Sequence, residues 1–115
     1  MNPEIVRMLL DEVPSPLRVG RVSSVVRNTL EARSDWVWLS KETLVKQLVK
    51  HPEIKLTDYE NLEWALATTN IIRDTRPNRL HLIADLHRDK PSSLKLTIKN
   101  ARNSERLFLI RAFCA

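Results

Sequence analysis

The sequence predicts an α+β fold in which about four N-terminal helices pack on a C-terminal antiparallel β-meander of three to four strands. Apolar residues recur at helical spacing through the first two thirds of the chain, and from residue 71 they alternate with polar residues. The length of 115 residues suits one hydrophobic core. We therefore predict a single domain over 1–115, with 1–34 as a helical N-terminal extension and 35–115 as an α+β core.

The two N-terminal helices are predicted from apolar spacing. The first spans 3–13, with Asn2 as its N-cap and Pro3 in its first turn. The second spans about 20–32 and carries Arg21 and Arg27 on its polar face. The residues predicted to be buried are Ile5, Val6, Leu9, Leu10 and Val13 in the first helix and Val22, Val25, Val26 and Leu30 in the second.

Two further helices have sequence signals for where they begin. Ser40 is a good N-cap for a helix over 41–50, which the His51 and Pro52 pair ends. Thr57 and Glu60 form a capping box that predicts a helix through about residue 69. The residues predicted to be buried are Leu44, Val45, Leu48 and Val49, then Tyr59, Leu62, Ala65 and Leu66. Before them, residues 35–40 fit either a short strand or an extended lead into the helix.

The last third has the twofold alternation of strands. Segments 79–86 and 94–100 alternate apolar and polar residues, whereas 105–113 is apolar on both faces except for Arg111, as expected of a better-covered strand. Polar connections between these segments predict two hairpins, and 71–74 predicts a brief additional strand. The residues predicted to face inward are Leu80, Leu82, Ala84, Leu86, Leu94, Leu96 and Ile98.

Hairpins centred near residues 90 and 103 gather the polar side chains on the exposed face of the sheet. In this register His81 lies opposite Lys99, and Asp85 lies near Lys95 and Arg111. A slip of one residue would send half of the set into the core. The residues that this face collects are Arg79, His81, Asp85, Lys95, Thr97, Lys99 and Arg111.

Composition excludes several classes of function. Nineteen Lys and Arg against fourteen Asp and Glu give a net charge of +5, which favours an anionic partner. The one glycine, Gly20, excludes glycine-rich nucleotide loops, and the one cysteine, Cys114, excludes an intrachain disulfide or a Cys-rich zinc site. We predict no cofactor. Without a membrane span or a secretion signal, a cytoplasmic location is expected.

The histidines do not have the spacing of metal ligands. His51, His81 and His87 fit no ligand motif, and Asp85, His87 and Asp89 could form only a chance cluster in a loop. We therefore predict no metal site.

The exposed face has the side chains that metal-free cleavage of RNA requires. Such cleavage needs a base for the 2′-hydroxyl proton, cations for the charge on phosphorus and an acid for the leaving oxygen. Histidine is the natural proton carrier because its side chain titrates near neutral pH. We assign that role to His81, with Lys99 and Arg111 stabilising the phosphate charge. The alternative is that these cations form an ordinary solvated face.

Five short motifs between residues 36 and 113 resemble the phage-associated members of the barnase, EndoU, colicin and RelE-like ribonuclease superfamily. They are VWLSKETL at 37–44, KHPEI at 50–54, DYENL at 58–62, LKLTIKN at 94–100 and ERLFLIRAF at 105–113. The resemblance implies a metal-independent endoribonuclease, a toxin or phage-borne effector, with a nuclease-like core over 35–115. Its implied partners are tRNA or mRNA and an immunity or inhibitor protein.

Residue roles carry over from this superfamily at two positions. His51 matches the histidine before proline, and Lys99 matches the lysine near the end of the penultimate strand. Arg111 stands where many members have Ser or Thr. For His51, capping of the preceding helix is the structural alternative.

Arg79, Lys95, Thr97 and Trp36 are predicted to contact nucleic acid, with Trp36 as a base-stacking residue. Trp38 and Trp64 are predicted to lie in the core. A non-catalytic module that binds nucleic acid or a protein, and a phage or host-takeover protein with a degenerate nuclease-like fold, stay open as alternatives.

Overall fold

The structure is a computed structural model that describes residues 4–59, 62–86, 92–101 and 106–114. The helices in these ranges are α1 (Glu4–Leu9), α2 (Ser24–Thr29), α3 (Lys41–Lys50), α4 (Leu56–Tyr59) and α5 (Leu62–Leu66). The strands are β1 (Leu17–Arg21), β2 (Trp36–Leu39), β3 (Ile71–Arg73), β4 (Arg79–Leu86), β5 (Ser92–Ala101) and β6 (Arg106–Cys114). The predicted α+β class is confirmed, but strands are not confined to the C-terminal part of the chain.

One mixed sheet holds these strands in the order β1-β2-β6-β5-β4-β3. Strands β3 to β6 pair antiparallel in sequence order, as the predicted meander requires. Residues 35–40 contain strand β2, which joins β6 in parallel, while β1 pairs antiparallel with β2. The two N-terminal strands therefore extend the meander at its β6 edge.

The N-terminal part differs most from its prediction. Helix α1 ends at Leu9, and the helix predicted over 20–32 is replaced by strand β1 and the short α2. Pairing with β2 gives the β1 backbone hydrogen-bond partners that a helix would have supplied internally, and Val19 on β1 is buried. Val25, predicted to be buried, is exposed.

Each N-terminal helix is followed, two residues after its last residue, by a residue with a positive φ. Asp11 follows α1 with a φ of 59°; its amide donates to the Met8 carbonyl, and the next amide, of Glu12, donates to the Arg7 carbonyl at 2.8 Å. Helix α2 ends in the same way at Glu31, whose φ is 52°. Glycine usually occupies this position, so neither end has its usual sequence signal.

The start signals of the later helices have mixed outcomes. Ser40 is the N-cap of α3 as predicted, because its Oγ accepts a hydrogen bond from a first-turn amide at 3.1 Å. The Thr57 capping box is wrong, since α4 begins one residue earlier and the carboxylate of Asp58 accepts from the Lys55 amide at 2.8 Å. Glu60 lies outside the described residues.

The predicted apolar stripe of α3 is only partly correct. Leu44 is fully buried, but Val45 and Val49 are exposed, Val49 by 75%. The polar side chain of Gln47 is buried, and its Oε1 is satisfied by a hydrogen bond from the Ala112 amide of β6 at 3.1 Å. Helix α3 therefore lies along the part of β6 that extends beyond β2.

The helices bury one face of the sheet, which we call the core face. Tyr59, Leu62, Ala65 and Leu66 are buried there as predicted, as are the inward residues of β4 and β5 named above, except Leu86, whose side chain lies outside the described set. Helix α5 crosses β1 at Gly20, where a Cβ atom would lie 2.9 Å from the Glu63 Cα atom. No helix in the described ranges is long and apolar enough to span a membrane.

Candidate active site

The opposite face of the sheet, which we call the outer face, carries His81 on β4, the strand next to the β3 edge. His81 on β4 pairs with Thr97 on β5, and Thr97 pairs with Arg111 on β6. The prediction that His81 faces Lys99 is therefore wrong by two residues, since Lys99 pairs with Arg79. Because this shift is even, the predicted residues still point outward.

Asp85 also lies elsewhere than predicted. It pairs with Ser93 and is exposed, four residues along β4 from His81. It is a diagonal neighbour of Lys95, but the predicted proximity of Asp85 to Arg111 is wrong because Arg111 belongs to the row of His81.

A β-bulge in β6 positions Arg111. Ile98 pairs with Leu109 and Thr97 with Arg111, so Ile110 is an extra residue. A bulge can turn two successive residues to the same side of a sheet. Ile110 and Arg111 accordingly both line one cavity on the outer face, which is described below. Strict alternation, on which the predicted register rested, therefore fails at this point of β6.

His81 connects a carboxylate to a hydroxyl. Its Nε2 lies 2.8 Å from Asp74 Oδ2, and its Nδ1 lies 2.9 Å from Thr97 Oγ1. Because an ionised carboxylate only accepts, Nε2 carries a proton, and in the neutral ring Nδ1 accepts a hydrogen bond from the Thr97 hydroxyl. The side chains of His81 and Asp74 are each 17% exposed. A carboxylate, a histidine and a hydroxyl in this order can transfer a proton.

The connection between β3 and β4 keeps Asp74 ionised. Asp74 Oδ1 accepts a hydrogen bond from the Arg76 amide at 2.8 Å. This bond, and next the hydrogen bond with His81, hold the pKa of Asp74 below its ordinary value. The predicted site residues did not include Asp74 or Arg76. An aspartate whose side chain accepts a hydrogen bond from the backbone amide two residues later is nevertheless a common feature of turns.

A cavity of about 400 Å³ opens beside His81, and we call it the His81 cavity. Thr97, Arg79 and Arg111 line it together with His81 and the Asp74 turn. The Nε atom of Arg79 is buried and has no hydrogen-bond partner among the described residues. Because Arg79 also lines the cavity, its positive charge favours an anion there.

His51 belongs to an adjoining site rather than to the His81 cavity. It is the C-cap of α3, its Nδ1 lies 3.2 Å from Glu53 Oε1, and its ring stacks on Phe113 with 5.7 Å between ring centroids. It lines a cavity of about 420 Å³, the His51 cavity, which shares Ile110 and Arg111 with the His81 cavity. Arg111 is therefore the side chain between the two histidines.

The other predicted site residues have different positions. Thr97 is only 4% exposed, and its hydroxyl bonds to His81, whereas Lys95 Nζ lies 5.3 Å from the Phe113 ring centroid. Lys99 lines neither cavity.

The tryptophans do not follow the core prediction. Trp64 on α5 is 54% exposed. On β2, Val37 and Leu39 take the core face, so Trp36 and Trp38 point to the outer face and are half-buried. The core assignments of Trp38 and Trp64 are therefore wrong, whereas contact of Trp36 with nucleic acid stays a prediction.

No group of three His, Cys, Asp or Glu side chains that could hold a metal ion occurs in the part of the chain that the structure describes. Residues 87 and 89, which belong to the loop cluster considered above, lie outside that part.

No family model, curated protein or solved structure matches this chain. The resemblance to the ribonuclease superfamily therefore stays a prediction, and function has to be argued from the site itself.

Proposed function

We propose that this chain is a metal-independent endoribonuclease that cleaves RNA in the His81 cavity. The observation that carries the proposal is the position of His81 between the ionised Asp74 and the Thr97 hydroxyl, beside Arg79 and Arg111. This set combines a proton acceptor with cations that suit a phosphodiester.

In the proposed reaction the RNA supplies its own nucleophile. The 2′-hydroxyl replaces the Thr97 hydroxyl as the hydrogen-bond partner of His81 Nδ1 and gives its proton to that nitrogen. The 2′-oxygen then bonds to phosphorus while the bond from phosphorus to the 5′-oxygen breaks. The products are a 2′,3′-cyclic phosphate and a 5′-hydroxyl. Asp74 stabilises the imidazolium that forms.

Arg79 and Arg111 act on the phosphate. The Arg79 guanidinium would bind one phosphate oxygen, and the Arg111 guanidinium would bind the charge that increases in the transition state. Arg111 also borders the His51 cavity. In this proposal the His51 ring acts as the acid that gives a proton to the departing 5′-oxygen.

The test is incubation of the purified chain with end-labelled single-stranded RNA in excess EDTA. Cleavage is expected, with a cyclic phosphate on the 5′ product. RNA with 2′-O-methyl groups should stay intact, because it lacks the nucleophile. His81→Ala should reduce the rate at least about 100-fold, the low end of a general acid–base contribution.

Asp85→Asn is the matched control, since it changes an exposed residue on the same strand that does not line the cavity. Circular dichroism would establish that each variant is folded. Intact RNA at high protein concentration, or a His81→Ala rate equal to that of the unmodified chain, would refute the proposal.

A second candidate function is binding of nucleic acid without cleavage. It is favoured by the fact that both ring nitrogens of His81 already have partners within the protein, as a purely structural histidine would. This alternative predicts RNA binding that falls with salt, intact RNA in EDTA, and loss of fold stability in His81→Ala.

A further inference from the structure

The antiparallel pair of β1 and β2 carries a group of cations and aromatic rings on the outer face. The Cζ atom of Arg18 lies 4.5 Å from the Trp36 ring centroid, and that of Arg21 lies 4.8 Å from it. The Cζ atom of Arg106 lies 4.2 Å from the Trp38 ring centroid. We call Arg18, Arg21, Trp36, Trp38 and Arg106 the Arg–Trp cluster.

Strand register produces this cluster. Arg18 of β1 pairs with Trp38 of β2, and Arg21 pairs with Trp36. The parallel pairing of β2 with β6 places Arg106 beside the same rings. Two large aromatic residues thus remain on the outer face although each would contribute more by burial in the core.

The Arg–Trp cluster carries more positive charge than its ion pairs neutralise. Arg21 forms an ion pair with Asp35 at 3.4 Å. Arg18 and Arg106 have no carboxylate partner among the residues that the structure describes. A cation over a ring stabilises a protein by about 0.5–1 kcal/mol at an exposed site, but gathering three arginines also brings like charges together. The surface therefore suits an anion that has flat rings of its own.

A row of paired residues leads from this cluster to the His81 cavity. Trp38 pairs with Phe108, Phe108 with Lys99, and Lys99 with Arg79. With neighbouring strands about 4.8 Å apart, the row from Arg18 to Arg79 is about 19 Å long. The row runs from one cation through two aromatic rings to two further cations, and its last member lines the His81 cavity.

We propose that the Arg–Trp cluster is a base-stacking subsite for single-stranded RNA, which holds nucleotides to one side of the phosphate in the His81 cavity. This inference rests on the proposed function. When RNA binds, the guanidinium groups that cover the Trp36 and Trp38 rings turn towards phosphates. Unpaired bases take their places on the ring faces. A duplex is excluded as a ligand of the subsite because its bases are already stacked on each other.

The test uses tryptophan fluorescence in a Trp64→Phe variant, so that Trp36 and Trp38 are the only indoles. The probe is a 2′-O-methyl oligonucleotide of about eight nucleotides, within the site size of single-strand-binding folds. We expect quenching on binding, and about 5- to 150-fold weaker binding for Trp38→Ala, the range that corresponds to one stacked base. Trp38→Phe keeps a ring and should lose less.

Three outcomes would overturn this inference: equal binding of the same oligonucleotide annealed to its complement, unchanged affinity of Trp36→Ala and Trp38→Ala, or displacement by polyglutamate at equal charge concentration. The two proposals can fail separately. Quenching with no cleavage of unmodified RNA would support the subsite and refute the nuclease. Cleavage with an unchanged KM in both tryptophan variants would support the nuclease and refute the subsite.

Discussion

At the scale of single residues, two buried polar atoms differ in what surrounds them. Tyr59 Oη and Arg79 Nε both lack a hydrogen-bond partner among the described residues. Tyr59 is a core residue, and its burial raises the pKa of its phenol above the ordinary value, with Asp58 and Glu53 adding to the effect. Arg79 borders a cavity beside His81. Arg79 therefore brings positive charge to this cavity, which is why we place the phosphate there.

Asp74 makes a prediction about stability and pH. Its pKa is lowered in the folded chain, chiefly by the Arg76 amide, so its stabilising contribution is present above the ordinary aspartate pKa of about 3.9 and is lost as the pH falls below it. Asp74→Asn should therefore lower the free energy of unfolding at pH 7 and lower it less at pH 3. Urea unfolding of both proteins across this range measures the difference. A gap that widens on acidification would contradict the assignment.

At the scale of elements, the close approach of α5 to β1 and the bulge in β6 determine where several side chains lie. Helix α5 can cross β1 only because Gly20 has no side chain at the crossing. The bulge at Ile110 turns Arg111 to the outer face, where it lies between His81 and His51. Both features are local departures from regular structure, and each allows a contact that a uniform strand would not make.

Gly20→Ala tests the packing of α5 on β1. The added Cβ would lie 2.9 Å from the Glu63 Cα atom, which is backbone and cannot rotate away. The free energy of unfolding should fall by about 1–3 kcal/mol, as for other overpacked cores. Urea denaturation measures the change. Thr69→Ala, at an exposed position, is the control and should stay within about 0.5 kcal/mol of the unmodified chain. A Gly20→Ala protein of unchanged stability would show that α5 does not pack so closely.

At the scale of the whole molecule, the fold separates the core from the cations. The helices cover one face of the sheet, and the chain has a net charge of +5. Cations on the other face include Arg18, Arg79, Lys95, Lys99, Arg106 and Arg111. Such a field attracts polyanions before any specific contact forms. Binding of RNA to this face should therefore depend strongly on salt.

The salt dependence can be stated as a slope. If three to five phosphates are neutralised, the logarithm of the binding constant should fall against the logarithm of salt concentration with a slope of about −2 to −3.5. Arg18→Gln should reduce the magnitude of this slope by about 0.7, whereas Lys55→Gln, before α4, should leave it unchanged. Fluorescence titrations from low to moderate salt measure both. Equal slopes for the two variants would remove Arg18 from the interface.

Much of the fold was predictable from local chemistry. The Ser40 cap predicted the start of α3, and alternation in residues 79–100 correctly assigned Leu82, Leu96 and His81 to their faces, because the twofold period of a strand survives any even shift of register. Strand β1 could not be predicted, since its partner β2 is separated from it by α2 and the apolar spacing of the segment also fits a helix.

By itself, the sequence determined the fold class, a C-terminal antiparallel meander of three to four strands and the gathering of its cations on one face, because these follow from side-chain period and composition. Tertiary structure alone decided that His81 meets Thr97 rather than Lys99, that Asp74 binds the other ring nitrogen, and that two tryptophans lie outside the core. These contacts depend on a turn, a bulge and a parallel pairing between distant segments. Such features depend on packing between segments that are distant in sequence, and the local pattern of residues does not predict that packing.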